Sequence, residues 1–138
     1  MSENPITVLS AEEAVEKLKS STFGRLAIRH DDDIDIFPVN FRFHEGAIFF
    51  RTAEGAKLSG LMMNPVVAFE TDQVKGEQAW SVLVKGEARR LEKSEEIHEA
   101  ETIGLAPWVP TLKYNWVKIT PSTIEGRTFQ LGEEPARY

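Results

Sequence analysis

Between Gly24 and Phe43 the apolar residues recur largely at every second position, and this period constrains the chain more than any other feature. A period of two puts successive side chains on opposite faces of an extended strand, whereas a helix repeats every 3.6 residues. In "GRLAIRH" Leu26 and Ile28 alternate with Arg25, Ala27 and Arg29. "DDD" at 31–33 reads as a turn and "IDIFPVNFRF" as the returning strand. "HEG" at 44–46 is a second turn, and "AIFFRT" a third strand. Strands joined by turns this short form an antiparallel meander. In the middle strand the apolar phase passes from Ile34 and Ile36 to Val39, Phe41 and Phe43, slipping at Phe37-Pro38. A proline donates no ladder hydrogen bond, so a bulge or an edge is expected there.

Helical signals frame this block. Ser10 followed by Glu13 makes a capping box, and Ala11, Ala14, Val15 and Leu18 then fall on one helical face. A short helix is expected over Ala56–Met63, with Leu58, Leu61 and Met62 as its apolar stripe and Asn64-Pro65 as its stop. A third helix is expected in "KSEEIHEAETIG", capped by Ser94 and ended by Gly104.

"VVAFET" reads as a strand buried on both faces and 72–78 as a polar loop. "AWSVLVKGEARRLE" is a long strand with Trp80, Val82 and Val84 on one face and Ser81, Leu83 and Lys85 on the other. Gly86 within it suggests a bulge or a barrel corner. "YNWVKITP" and "TIEGRTFQL" are the last two strands. Residues 1–8 are expected to be a loose lead-in and 132–138 a tail. The sum is one domain over 1–138, mostly β with inserted short helices and six to seven antiparallel strands, a barrel rather than a sandwich.

Composition removes whole classes of function. A net charge of -6 argues against nucleic acid as partner, since phosphate backbones want a basic face. With no cysteine there is no disulfide, thiol catalysis or thiolate metal site. There is no apolar run of roughly 18 residues and no basic-then-apolar N-terminal pattern, so no membrane partner is expected and the cytoplasm is the expected location. His30, His44 and His98 are scattered, and Asp31, Asp32, Asp33 and Asp35 lack the calcium-loop frame, so no metal site is expected.

Three groups of residues stand out. Arg51, Thr52 and Lys57 surround Gly55 where a strand passes into a helix. A guanidinium fork, a hydroxyl, an ammonium and free helix N–H groups together suit a phosphate; an ordinary solvated junction would look the same. Pro38, Val39 and Asn40 would offer backbone groups and an amide to a flat heteroaromatic ring, or mark a plain edge strand. Trp80, Ser81 and Trp108 would wall a stacked planar ligand, or simply pack.

In order along the chain, "GRLA", "PVNF", "FRTAEGAKL…NP-V-F", "WSVLVKGEA", "PWVP" and "VKITPSTIEGR" resemble the pyridoxamine 5'-phosphate oxidase-like proteins, the FMN-binding split-barrel superfamily. The likeness covers about residues 8–130, and its short branch includes nitroimidazole-resistance-like proteins and actinobacterial flavin or deazaflavin binders. The resemblance implies a split β-barrel that forms a homodimer with two flavin sites at the interface. It implies that Arg51, Thr52 and Lys57 hold the FMN phosphate, that Pro38, Val39 and Asn40 line the ring, and that Trp80 and Ser81 approach from a neighbouring strand or the partner subunit. FMN is the implied cofactor, with coenzyme F420 as the alternative; the latter's acidic tail would call on Arg25, Arg29 and Arg42. The partner is then a small planar substrate. The substrate-gripping region of true pyridoxamine 5'-phosphate oxidases is not matched by "FQLGEEPARY", so a different flavin-dependent oxidoreductase, or a non-catalytic flavin or haem binder, is expected.

Overall fold

The computed structural model describes residues 4–53, 55–105 and 115–135. Its elements in chain order are β1 (Ile6–Val8), α1 (Ala11–Ser20), β2 (Phe23–His30), β3 (Asp33–His44), β4 (Ala47–Thr52), α2 (Ala56–Met63), β5 (Val66–Lys75), β6 (Gln78–Arg90), α3 (Ser94–Glu101) and β7 (Asn115–Gln130). The strands pair antiparallel in the order β1-β7-β4-β3-β2-β5-β6, and β6 pairs again with β7. Six strands therefore close into a barrel, with β1 laid against β7. Closure is incomplete at β3, whose segment Asp33–Asn40 pairs with β2 alone.

Capping chemistry starts α1 where the sequence requires it. The Ser10 hydroxyl accepts from the Glu13 N–H at 3.1 Å, and the Glu13 carboxylate accepts from the Ser10 N–H at 3.0 Å. Ala14 and Leu18 are then driven into the barrel core beside Leu26, Phe41, Phe50, Phe69, Val82, Val84 and Ile119. Each large apolar side chain buried this way contributes roughly 1.5–3 kcal/mol. Phe41 and Phe69 meet edge to face, their ring centroids 4.7 Å apart. A smaller cluster of Ala47, Phe49, Leu91, Ala100 and Trp116 lies on the other side of β4, under α3.

Several expectations are corrected. β3 carries no bulge: its register with β2 runs unbroken from Phe23 opposite Asn40 to His30 opposite Asp33. Phe37, Val39, Phe41 and Phe43 are one inward row against the core, and Ile34 and Ile36 point outward, 69% and 66% exposed. What looked like a phase slip is apolar residues on both faces. The irregularity is instead a change of partner, since β3 pairs with β2 through Asn40 and with β4 from Phe41. The barrel splits there.

The lead-in is partly a strand, β1, with Ile6 opposite Phe129. β5 continues through the expected loop to Lys75 and turns at Gly76 into β6. It is not buried on both faces, because Val66 is 59% exposed and burial alternates along it. Lys93, not Ser94, stands at the N-cap of α3 and makes no side-chain cap bond. The last two strands are one, β7, kinked where the register with β6 shifts between Lys85 and Gly86. That shift is the corner expected at Gly86: a Cβ there would lie 2.3 Å from the Thr120 carbonyl oxygen. Among the described residues no helix is long and apolar enough to cross a membrane.

Candidate functional site

At the end of β4 the strand alternation separates the two predicted residues. Thr52 turns inward, 5% exposed, and its hydroxyl donates to the Ala53 carbonyl at 3.2 Å. Arg51 turns to the other face, its guanidinium 5.4 Å from the Trp116 ring. Gly55 follows at φ +151°, a conformation that strains any side chain, and provides the N-cap of α2 without a side-chain bond. The first turn of α2 holds no acid, whereas α1 begins with Glu12 and Glu13 and α3 with Glu95 and Glu96. Acidic residues normally offset the positive end of the helix dipole. Here Lys57 stands in that turn instead, its ammonium 5.2 Å from the Phe37 ring. A guanidinium, an ammonium and helix N–H groups are the donor set that a phosphate satisfies.

The barrel wall beside this junction has an outward face built by strand register. Pro38 lies opposite Arg25, and Asn40 opposite Phe23. Arg25 in turn lies opposite Glu70. Glu70 lies opposite Leu83, and Asp72 opposite Ser81. Pro38 and Asn40 on β3 and Ser81 on β6 therefore bracket β2 and β5 on one face. Three strand spacings separate them, about 14 Å. Val39 belongs to the core, 5% exposed, and only its backbone reaches the wall edge.

Between these residues lies a charged trio. Arg25 Nε donates to Glu70 Oε1 at 2.9 Å, and its Nη2 reaches Glu70 Oε1 at 2.7 Å and Asp72 Oδ2 at 2.5 Å. The guanidinium also sits 6.0 Å from the Phe23 ring. Glu70 and Asp72 lie on the same guanidinium. Burial, helped by the hydrogen bond to Asp72, pushes the Glu70 carboxyl up to about 7. Asp72, accepting that hydrogen bond and one from Arg25, is held below its usual range. Two carboxyls this close cannot both ionise cheaply, so one rises as the other falls.

The pyridoxamine 5'-phosphate oxidase family model matches residues 10–128 of this chain. The chain belongs to the pyridoxamine 5'-phosphate oxidase family. A Corynebacterium glutamicum protein, provisionally named a pyridoxamine 5'-phosphate oxidase, is 47% identical with a TM-score of 0.85, covering 96% of this chain and 100% of its own. The FAD binding protein of Mycobacterium smegmatis is 41% identical with a TM-score of 0.80, covering 91% of this chain and 100% of its own. An uncharacterised Mycobacterium tuberculosis protein is 44% identical over 90 residues, 65% of this chain and 82% of its own.

In this family member the geometry sorts the predicted residues into two sets. Pro38, Asn40 and Ser81 share the outward face, while Arg51 and Lys57 stand on either side of Gly55 in the chain, Arg51 against Trp116 and Lys57 against Phe37. Trp80 is on the opposite face of β6 from Ser81, donating to Gln73 Oε1 at 3.3 Å, with the Lys17 ammonium 5.4 Å from its ring. It lines a cleft of about 710 Å³ at the barrel end, with Lys17, Lys75, Gln78 and Phe129. Trp80 and Asp72 meet only around the sheet end, in a hollow of about 170 Å³. Trp108 lies outside the described residues. Arg25 was weighed in the sequence only as a base for an acidic tail; its carboxyl partners went unseen. Also unseen was a cluster of His44, Glu45 and Glu99, where His44 Nε2 lies 3.8 Å and 3.9 Å from the two carboxylates.

Proposed function

We propose that this chain binds a flavin nucleotide on the outward face of its barrel, as an FMN-binding oxidoreductase-like protein acting on a small planar organic molecule. The observation that carries this reading is the first turn of α2, which holds Lys57 and no acid where the first turns of the other two helices hold acids. Arg51 and Lys57 hold the phosphate together with the α2 N–H groups. Thr52, facing inward, fixes the strand end beneath them. The β3 segment Pro38–Asn40, where the barrel splits, meets one edge of the ring, and Ser81 meets it from β6. A backbone N–H from the Pro38–Asn40 segment would favour negative charge on the ring. The flavin supplies the hydride or electron transfer when bound; the chain orients it and shields it from water.

The working unit is a homodimer with its flavin sites at the interface. Ile34, Ile36 and Val66 support this, being large apolar side chains exposed on the same face of β3 and β5. Within one chain Trp80 faces the cleft at the barrel end and lines a smaller hollow with Asp72, and the assembly would bring it to the ring from the partner.

FAD is a second reading, favoured by the binding property of the 41% identical Mycobacterium smegmatis protein. FAD contains the FMN half, and the same anchor would serve it. The deazaflavin F420 fits less well, because Arg25 is committed to Glu70 and Asp72 and is not available for an acidic tail. Purified protein titrated with FMN, FAD and F420 separates these. Expected is a yellow complex with absorbance near about 370 and 450 nm and tightest binding of FMN. Failure of both flavins to bind would overturn the reading.

A further inference from the structure

Arg25, Glu70 and Asp72 occupy the wall between the residues assigned to the two sides of the ring. A ring spanning Pro38 and Asn40 on β3 to Ser81 on β6 must lie over β2 and β5, where these three side chains stand. Resting on the flavin reading, we propose that the Glu70–Asp72 pair, fixed by Arg25, is the floor of the ring site and takes up a proton when the ring covers it. The geometry supplies three parts of this.

The two carboxyls are two residues apart on one strand, so both point to the same face. Arg25 holds both at once, at 2.7 Å and 2.5 Å, and cannot neutralise two charges with one. The side chains are still 30% and 45% exposed, so a ligand has water left to remove. Removing it disfavours the doubly ionised pair and draws a proton onto Glu70. The protonated pair also presents an O–H donor that the ionised pair lacks.

Other charged groups on this face stand further along the strands. Arg29 shares the outward row of β2 and Arg42 that of β3. Lys85 and Glu87 lie opposite Ala68 and Val66, and Arg127 and Glu125 opposite Ser81 and Leu83. None replaces Arg25 as the direct partner of Glu70 or Asp72 in these contacts.

The test is calorimetric titration of the full chain with FMN in buffers of different ionisation enthalpy, which counts protons taken up. Above the second phosphate pKa the ligand is already dianionic, so its own titration drops out. If covering raises the Glu70 carboxyl by one further unit, about half a proton is taken up per FMN at about pH 7.5, and affinity falls up to about tenfold at higher pH. Glu70→Gln should bind FMN with no such uptake and a flat pH profile. Asp72→Asn should keep the uptake but move it to lower pH, because the charge that lifts Glu70 is gone. Equal uptake by parent and Glu70→Gln, or none by the parent, overturns the proposal while leaving flavin binding intact. Absence of FMN binding by the parent overturns both.

Discussion

Glu70 and Asp72 respond to pH in opposite senses. The Glu70 carboxyl is raised from 4.5 to about 7, so its contribution to stability is full below 4.5 and is lost as pH climbs through about 7. Asp72 is lowered, so its contribution is present above 3.8 and is lost as pH falls. The windows overlap between 3.8 and 4.5. Replacing Glu70 by Gln removes the first effect. The urea midpoint of Glu70→Gln relative to the parent should therefore shift in the variant's favour between about pH 5 and about pH 8. A constant difference across that range would show that the pair does not share a proton. None of this was legible in the sequence. Arg25 is 45 residues from Glu70 and 47 from Asp72, and only the register of β2 with β5 brings them together. Arg51 and Lys57 could be singled out from the sequence because their signal is local, a cationic strand end and helix start around one glycine.

Elements were legible where local chemistry and period agreed. α1 begins at its capping box, and β2, β3 and β4 form the meander that their alternation implies. The losses came where pairing, not pattern, decides. β1 is three exposed residues that are a strand only because β7 runs beside them. Pro121 suggested the end of one strand and the start of another, but β7 passes through it with a kink. Of the bulge or edge expected at Pro38, the bulge is absent, because apolar residues face both ways, and the edge is present, since β3 pairs with β2 alone through Asn40. Gly86 was read correctly, since a glycine inside a strand announces a close approach. Gly86→Ala would place a methyl against the Thr120 backbone and should cost about 1–3 kcal/mol, measurable by urea unfolding. Stability within error of the parent would mean that the β6–β7 corner yields freely.

At the scale of the molecule, the barrel was legible and the distribution of its faces was not. β5 was expected to be buried on both sides, and its outward side is instead open at Val66, next to the exposed row of Ile34 and Ile36. A second copy would cover exactly such a surface without disturbing the core. Ile36→Glu should leave the fold intact, because the side chain is already 66% exposed, and should shift the sedimentation of the protein from dimer toward monomer. A parent that sediments as a monomer, or a variant that remains dimeric, would contradict this assignment of the face.

The central claim is that the β4–α2 junction is the phosphate anchor of a flavin site. FMN titration of the parent beside Lys57→Ala tests it most directly. A charge-assisted phosphate contact is worth roughly 1.5–3 kcal/mol, so the variant should bind FMN about tenfold or more weakly while keeping its fold and assembly. FMN affinity equal to that of the parent would contradict the account.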